Sequence, residues 1–271
     1  MKTVYKKKIA ITGSTGLLGS YFCKKFSKKF EILKYPHRIE KNNKFNEWLT
    51  NKKFDYFIHF AGITKGTSSK LNKINFDSSV NIIRSLKKNN DLKFFLFIST
   101  SHVYGYSNKK INEGLKTRPI NKYGLSKKKT EDFIIKNRKK FKFKIGIARI
   151  FNVTGPTQRS GYFVSDIFKL ISKKKYIDNI NCYRDFIHID DIMDSIKIII
   201  TKQFEKTINI SSGTKINLID VCEVINTLYF NKKIKYGNKG GKNLFGDNKL
   251  LKSMGKKKFR DIKEIIRSFR K

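Results

Sequence analysis

Short apolar runs alternate with stretches of helical periodicity through the first half of this 271-residue chain. The runs that predict β-strands lie at 9–12, 31–35, 56–60, 94–99 and 145–151. Helices are predicted around 45–51, at 74–87 and at 122–136, where apolar side chains recur at helical spacing. Between 35 and 55 there is room for one short helix but hardly for a further strand. Alternation of this kind predicts an α/β fold in which helices cover a parallel sheet.

The second half of the chain has a less regular pattern. The stretch 152–183 combines a glycine-rich loop, a helix at 163–172 and irregular polar sequence. A strand at 207–210, a helix at 218–229 and a lysine-rich tail with a helix at 261–270 follow. These pieces predict a small C-terminal cap domain.

The charge of the chain is strongly positive, with 61 Lys and Arg residues against 21 Asp and Glu and a formal net charge of +40. Dense positive charge attracts polyanions without sequence recognition. Here the excess is mostly lysine and is spread along the whole chain, so we predict solvated surfaces and no specific nucleic-acid partner.

Cysteine usage and hydropathy bear on the compartment. The three cysteines are scattered and show neither metal-ligand spacing nor a disulfide framework. No apolar run is long enough for a membrane span or a signal peptide. We therefore predict a cytoplasmic protein with no membrane partner and no metal site.

The first predicted strand runs directly into a glycine-rich turn. Its glycines, Gly13, Gly16 and Gly19, precede a helix-like stretch. Glycine permits a tight turn and a close approach of pyrophosphate, whose charge the N-terminus of the next helix receives. The spacing differs from G-x-G-x-x-G, so on its own this turn also fits a plain glycine turn.

A second candidate for chemistry is the pair Tyr123 and Lys127. On a helix, residues four apart share a face, and a nearby cation favours the phenolate form of tyrosine. That is what a phenol needs in order to exchange protons with a substrate hydroxyl or carbonyl. Taken alone, the pair also fits a surface tyrosine in a lysine-rich helix.

The order of motifs along nearly the whole chain resembles the extended short-chain dehydrogenase/reductases, in the nucleotide-sugar epimerase/dehydratase branch. The matching elements are TGSTGLLG at 12–19, HFAG at 59–62, Asn75, STSHVYG at 99–105, YGLSK at 123–127, RIFNVTGP at 149–156, RDFIHIDDI at 184–192 and INISSG at 208–213.

The resemblance implies a role for each matched position. Thr100 would hydrogen-bond the reacting sugar oxygen, Tyr123 would exchange its proton, and Lys127 would hold the nicotinamide ribose and depress the tyrosine pKa. Cofactor contacts are implied for Gly13, Gly16, Leu17, Leu18, Gly19, Phe60, Ala61, Gly62, Asn75, Tyr123 and Lys127. Substrate contacts are implied for Thr100, Ser101, Asn152 and Arg184, the last of these with the nucleotide diphosphate.

The resemblance also implies a fold and a domain plan. The fold would be a Rossmann-type doubly wound parallel sheet with a small C-terminal substrate-binding cap. The NAD(P)-binding domain would comprise 1–151, with 184–208 returning to it. The cap would comprise 152–183 and 209–271. Two helices, 74–87 and 122–136, are the expected homodimer contact.

Two departures from the family pattern narrow the function. The family's 4,6-dehydratases carry Asp-Glu as an acid/base pair where this chain has Ser101 and His102, so dehydratase activity is not expected. The segment after the second strand offers Arg38 in place of the acidic residue that grips the ribose 2′-hydroxyl of NAD. Because Arg38 could pair with a 2′-phosphate, we predict NADP(H) as cofactor in preference to NAD(H).

These observations predict an NAD(P)-dependent oxidoreductase that acts on a nucleotide-diphosphate sugar. A 4-keto-6-deoxy sugar reductase is favoured, with a nucleotide-sugar 4-epimerase as the alternative. A noncatalytic NADP sensor or an RNA-binding relative of the fold is a third possibility, against which the intact set of Thr100, Tyr123 and Lys127 argues.

Overall fold

A central sheet organises the first part of the chain. The computed structural model describes residues 6–156, 158, 160–173, 176–178, 180–237 and 240–270. The strands are β1 (Lys8–Thr12), β2 (Glu31–Lys34), β3 (Tyr56–His59), β4 (Phe94–Thr100), β5 (Lys144–Ile150), β6 (Asn152–Thr154), β7 (Tyr183–Arg184), β8 (Phe186–His188), β9 (Thr207–Ile210) and β10 (Ile216–Asn217).

The helices complete the list of elements. They are α1 (Leu17–Phe26), α2 (Asn42–Leu49), α3 (Ser68–Asn72), α4 (Ser79–Ser85), α5 (Lys122–Asn137), α6 (Phe163–Ser172), α7 (Ile189–Thr201), α8 (Leu218–Tyr229), α9 (Lys249–Ser253) and α10 (Ile262–Arg267). A π-helical turn, Lys73–Ser78, joins α3 to α4. Short 3-10 turns occur at Leu86–Lys88, Ser101–Val103, Arg138–Lys140 and Ser268–Arg270.

The six-stranded sheet has the order β2-β1-β3-β4-β5-β9. β1 pairs in parallel with β2 on one side and with β3 on the other, so the strand order reverses at β1. In open α/β sheets, ligands bind beyond the carboxyl ends of the strands at such a switch point. All residues of β3 and β4 are buried, as expected for strands covered by helices on both faces. The predicted α/β class with a Rossmann-type sheet is confirmed.

Two compact units are formed. The first comprises 1–104, 116–149 and 196–208, and its core lies between the sheet and its helices, with Phe57, Phe95 and Ile147 fully buried. The second comprises 105–115, 150–195 and 209–271, and its core gathers apolar residues of α6, α8 and α10. The predicted division into a cofactor-binding domain and a substrate-binding cap stays a prediction.

None of the described helices is long and apolar enough to cross a membrane.

The predicted helix 74–87 is helical throughout, but it begins as the π-helical turn Lys73–Ser78 and ends as the 3-10 turn Leu86–Lys88. The carbonyl of Asn75 accepts side-chain hydrogen bonds from Ser79 Oγ at 2.9 Å and from Thr130 Oγ1 at 2.7 Å. These hydroxyls satisfy a backbone acceptor in the widened turn. The apolar pattern of the sequence does not predict such a turn.

The sequence analysis also did not predict the strands in 152–154 and 183–188, which take part in two small sheets within the second unit.

Candidate active site

The glycine-rich turn packs directly on the end of β3. Gly13 has a φ of +72°, and a Cβ at this position would lie 2.6 Å from the nitrogen of Ala61. A Cβ at Gly19 would lie 2.1 Å from the carbonyl oxygen of Gly13. Gly16 occupies the N-cap position of α1, so Leu17 and Leu18 begin the helix without a side-chain cap from that residue. The turn therefore presents a backbone cradle and a helix N-terminus, which together suit a pyrophosphate.

The loop after β3 is fixed to α5 by Asn75. Its Oδ1 accepts from the nitrogen of Ile63 at 2.9 Å, and its Nδ2 donates to the carbonyl of Ile63 at 2.8 Å and to Ser126 Oγ at 3.0 Å. A Cβ at Gly62 would lie 3.0 Å from Asn75 Oδ1 and 3.5 Å from Lys127 Nζ. Gly62 thus lies beside Lys127, the lysine of the YGLSK motif.

A buried histidine joins the end of β1 to the start of α4. His59 Nδ1 lies 2.8 Å from Thr12 Oγ1, and its Nε2 lies 2.9 Å from Ser79 Oγ. Because Ser79 Oγ donates to the Asn75 carbonyl, it accepts from His59, which places the imidazole proton on Nε2. Burial, together with the charge of Lys127, lowers the pKa of His59 to about 3. His59 is therefore a neutral structural bridge.

The predicted proton-relay residues lie on two adjoining elements. Thr100 ends β4, and Ser101 begins the 3-10 turn that follows. Tyr123 and Lys127 lie on the first two turns of α5, with Tyr123 half-buried and Lys127 buried. The ring of His102 meets that of Tyr123 edge-on, with centroids 5.9 Å apart.

A glycine that the sequence analysis did not single out makes this junction possible. A Cβ at Gly124 would lie 2.2 Å from the carbonyl oxygen of His102, and that oxygen accepts a hydrogen bond from Ile120 at 3.1 Å. Any side chain at position 124 would push α5 away from the Thr100 segment. Its position directly after Tyr123 is the signal that could have identified it.

Lys127 has an apolar environment for a cation. Its Nζ lies 4.3 Å from the ring centroid of Phe97, and the carboxylate one turn further along the helix, Glu131, is bound to Arg149. Burial lowers the pKa of Lys127 to about 7, although the charge of Glu131 acts in the opposite direction. The ammonium group that would favour a phenolate thus has a pKa of about 7, so it loses its proton near neutral pH.

A buried ion pair between Glu131 and Arg149 packs next to Lys127 along α5. The sequence analysis did not identify this pair. Arg149 Nη2 lies 2.6 Å from Glu131 Oε2, Ser99 Oγ donates to Glu131 Oε1 at 2.5 Å, and the guanidinium carbon lies 4.6 Å from the ring centroid of Tyr104. Burial opposes the charge, but the hydrogen bonds and charge of Glu131 hold the pKa of Arg149 above its ordinary value. The pair joins α5 to β4 beside Thr100 and to β5.

In this structure the predicted substrate residues of the second unit donate to backbone carbonyls of other residues in the same unit. Asn152 Nδ2 donates to the carbonyl of Asp185 at 2.9 Å. Arg184 Nη1 donates to the carbonyls of Tyr183, at 3.0 Å, and Lys242. The buried Asp185 carboxylate accepts from Ser212 and Gly213, and burial raises its pKa to about 7 against these donors. Contacts of Asn152 and Arg184 with a substrate stay predictions.

Arg38 is exposed in the loop that follows β2. The end of β2 lies beside the end of β1, with Ile11 paired to Lys34, so this loop starts at the same edge of the sheet as the glycine-rich turn. Its contact with a 2′-phosphate stays a prediction.

The described residues contain no group of three histidines, cysteines or carboxylates that could hold a metal. The three cysteines are buried free thiols.

The buried lysine predicts a pH-dependent stability. Lys127 is charged up to about pH 10.5 in the unfolded chain but only up to about pH 7 in the folded chain. The unfolded state therefore binds more protons in this window, and the contribution of Lys127 to the free energy of unfolding rises with pH. We expect Lys127→Met to stabilise the cofactor-free protein by about 2 kcal/mol below pH 7 in urea unfolding, and the gain to shrink towards pH 10.

Lys122→Met removes an exposed lysine from the same helix and serves as the matched control. It should change stability little at any pH. A Lys127→Met protein no more stable than the wild type below pH 7 would contradict the cost assigned to the buried ammonium.

Three curated relatives are similar to this chain. GDP-6-deoxy-D-talose 4-dehydrogenase of Aggregatibacter actinomycetemcomitans is 28% identical over 234 residues, covering 80% of this chain and 79% of that protein. GDP-6-deoxy-D-mannose reductase of Pseudomonas aeruginosa is 23% identical, covering 81% and 79%. dTDP-D-glucose 4,6-dehydratase of Dictyostelium discoideum is 28% identical, and this chain spans only 62% of its length.

Solved structures share the fold. The structure of RMD from Pseudomonas aeruginosa complexed with NADPH has a TM-score of 0.86 at 20% identity and covers 97% of this chain and 98% of that one. UDP-glucuronic acid 4-epimerase from Bacillus cereus in complex with UDP-glucuronic acid and NAD has a TM-score of 0.84 at 20% identity, covering 96% and 97%. The model of one family matches residues 9–211, a span that includes the glycine-rich turn and the residues Thr100, Tyr123 and Lys127. This chain belongs to the NAD-dependent epimerase/dehydratase family.

Proposed function

We propose that this protein is an NAD(P)-dependent reductase that acts on the 4-keto group of a nucleotide-linked 6-deoxy sugar. The observation that carries the proposal is the junction of β4 and α5, which joins the Thr100 segment to Tyr123 and Lys127 beside the cofactor turn. The similarity to GDP-6-deoxy-D-talose 4-dehydrogenase and GDP-6-deoxy-D-mannose reductase, both named for a GDP-linked 6-deoxy sugar, supports the substrate class.

The turn fits a nicotinamide dinucleotide, because only glycine at positions 13 and 19 lets the turn pack this closely on itself and on the end of β3, beside the N-terminus of α1. Gly13 to Gly19 would hold the pyrophosphate, and Phe60 to Gly62, Asn75 and Lys127 would lie along the nicotinamide half. When bound, this cofactor supplies or accepts the hydride at the sugar carbon. Arg38 would pair with a 2′-phosphate, so the proposal includes NADP(H) as the tighter ligand.

The chain's own residues handle the proton. In the reducing direction Thr100 hydrogen-bonds the carbonyl oxygen of the sugar, and Tyr123 donates its phenolic proton to that oxygen as it gains charge. Lys127 stabilises the phenolate that is left, since an adjacent cation favours the charged form. In the oxidising direction the same groups act in reverse order.

A nucleotide-sugar 4-epimerase is the second candidate, because the same residues can take a proton from the sugar hydroxyl and give one back, while a retained cofactor would supply the hydride to the opposite face of the sugar. The fold shared with UDP-glucuronic acid 4-epimerase is compatible with it. Dehydratase activity is not proposed, since Ser101 and His102 occupy the positions of the family's Asp-Glu pair.

The test is to titrate purified protein with NADPH, NADH and their oxidised forms. Absorbance of reduced nicotinamide is then followed with GDP-6-deoxy-D-mannose, GDP-6-deoxy-D-talose and UDP-glucuronic acid. We expect tighter binding of NADP(H), and NADP⁺-dependent oxidation of a GDP-linked 6-deoxy sugar. Copurified NAD, together with epimerisation of a sugar without net change in reduced cofactor, would favour the epimerase instead.

The proposal includes a homodimer through the face formed by the π-helical turn, α4 and α5. This face carries an open groove lined by Phe76 and Phe133 and by more basic than acidic side chains, with Arg84 and Lys136 among the basic ones and Asp132 as the acidic one. Because like charges of two copies would meet here, added salt should strengthen the dimer. Light scattering at micromolar concentration that shows a monomer in both low and high salt would contradict it.

A further inference from the structure

Asn121 makes two hydrogen bonds that join separate elements of the candidate site. It is the N-cap of α5, and its Oδ1 accepts from the nitrogen of Gly124 at 2.8 Å. Its Nδ2 lies 3.0 Å from Nδ1 of His102, in the 3-10 turn after Thr100. One side chain therefore contacts both the first turn of the Tyr123 helix and the Thr100 segment.

The cap determines the direction of the second bond. A backbone N–H can only donate, so the amide oxygen of Asn121 faces Gly124 and its NH₂ group faces His102. An amide NH₂ can only donate as well, so Nδ1 of His102 must be the acceptor. Neutral His102 then carries its proton on Nε2.

Asn121 is exposed, and an exposed side chain loses entropy when it is ordered. The hydrogen bond to His102 adds little to this cost. The cap already holds the asparagine rotamer, so the entropic cost of ordering it is shared by two bonds. Two more links converge on the same turn. The nitrogen of His102 donates to Thr100 Oγ1 at 3.2 Å, and its carbonyl accepts from Ile120 at 3.1 Å.

We propose that Asn121 is a positioning residue that holds His102 as the Nε2–H tautomer and so couples the Thr100 segment to the turn of α5 that carries Tyr123. Its effect on turnover rests on the proposed function, whereas its effect on His102 does not. Near this junction α5 contributes Lys122, directly after Asn121, then Tyr123, which meets His102 edge-on, and Lys127, one turn further along.

Two substitutions separate the cap from the bridge. Asn121→Ser keeps an N-cap acceptor but removes the NH₂ donor. Asn121→Asp also keeps the cap, but its carboxylate can only accept, so it calls for a proton on Nδ1 of His102. Asn217→Ser is the matched control, because Asn217 caps α8 in the other unit with the same amide chemistry.

The first readout does not depend on activity. Histidine ring ¹⁵N shifts are followed through a pH titration of labelled protein, with His102→Gln to assign one of the four histidines. We expect Asn121→Asp to raise the midpoint of His102 and to move the neutral ring towards the Nδ1–H tautomer. A His102 titration that is the same in Asn121→Asp and in wild type would overturn the proposal.

The second readout is turnover of whichever probe, GDP-6-deoxy-D-mannose or GDP-6-deoxy-D-talose, the wild type oxidises faster. We expect Asn121→Ser to lower kcat by about tenfold with the KM for cofactor unchanged, because it shifts the reacting groups rather than the cradle. Asn217→Ser should match the wild type. A kcat for Asn121→Ser equal to that of the wild type would also overturn the proposal. Absence of turnover in the wild type would count against the proposed function, and the ¹⁵N result would still decide the role of Asn121.

Discussion

Tyr123→Phe is expected to lower turnover by a hundredfold or more while the dissociation constant for the cofactor stays close to that of the wild type. The substitution removes one hydroxyl from a half-buried ring and leaves the cap of α5 and the contact of Gly124 with His102 in place. Loss of a general acid/base typically costs two to four orders of magnitude in rate, or roughly 3–5 kcal/mol of transition-state stabilisation. Single-turnover absorbance of the nicotinamide, together with cofactor titration, measures both quantities.

Tyr176→Phe is the matched control, since it removes the same hydroxyl from a ring that is 58% exposed. Its turnover should equal that of the wild type. If Tyr123→Phe turned over its substrate at a rate close to wild type, Tyr123 would not be the proton donor and the proposed mechanism would fail.

The second large effect is expected in stability, from the buried pair of Glu131 and Arg149. Glu131→Leu leaves a buried guanidinium without its carboxylate and should cost about 3–5 kcal/mol of unfolding free energy. The double variant Glu131→Leu/Arg149→Met removes both charges and should recover much of that loss, because the cost of burying the ions disappears as well. Urea unfolding of the wild type, both single variants and the double variant measures the coupling.

An exposed pair gives the comparison. Lys44 and Glu47 lie 3.6 Å apart with side chains 53% and 65% exposed, and Glu47→Ala should have no measurable effect on unfolding. A double variant whose loss equals the sum of the two single losses would show that the Glu131–Arg149 pair is not the coupled unit that its geometry indicates.

The predictability of this fold from sequence differed between its parts for physical reasons. The strands at Tyr56–His59 and Phe94–Thr100 are buried on both faces, so each appears in the sequence as a continuous apolar run. The missed strands Asn152–Thr154 and Tyr183–Arg184 are two or three residues long and mix polar with apolar side chains. Elements that short carry no periodicity.

Candidate site residues that lie in short sequence motifs could be predicted. Those that depend on contacts between distant segments could not. Thr100, Tyr123 and Lys127 were predicted as candidates from the order of motifs along the chain, and their roles stay predictions. The pairing of Glu131 with Arg149 and the close approach of Gly124 to His102 join residues 18 to 22 positions apart, which no local pattern reports. Likewise, Arg184 was expected to face a diphosphate, but the sequence could not show that it donates to the carbonyl of Lys242.

The π-helical turn Lys73–Ser78 also acts as a shift of phase along a helix. One residue added to a helical path rotates everything beyond it by about 100°. Asn75 on one side of the shift points toward Ile63 and Ser126, while Ile82 and Ile83 beyond it are packed in the core of the first unit. Deleting a single residue from Lys73–Ser78 would rotate Ile82 and Ile83 away from the core or Asn75 away from Ile63 and Ser126. The number of residues in this turn is therefore constrained, as well as their types.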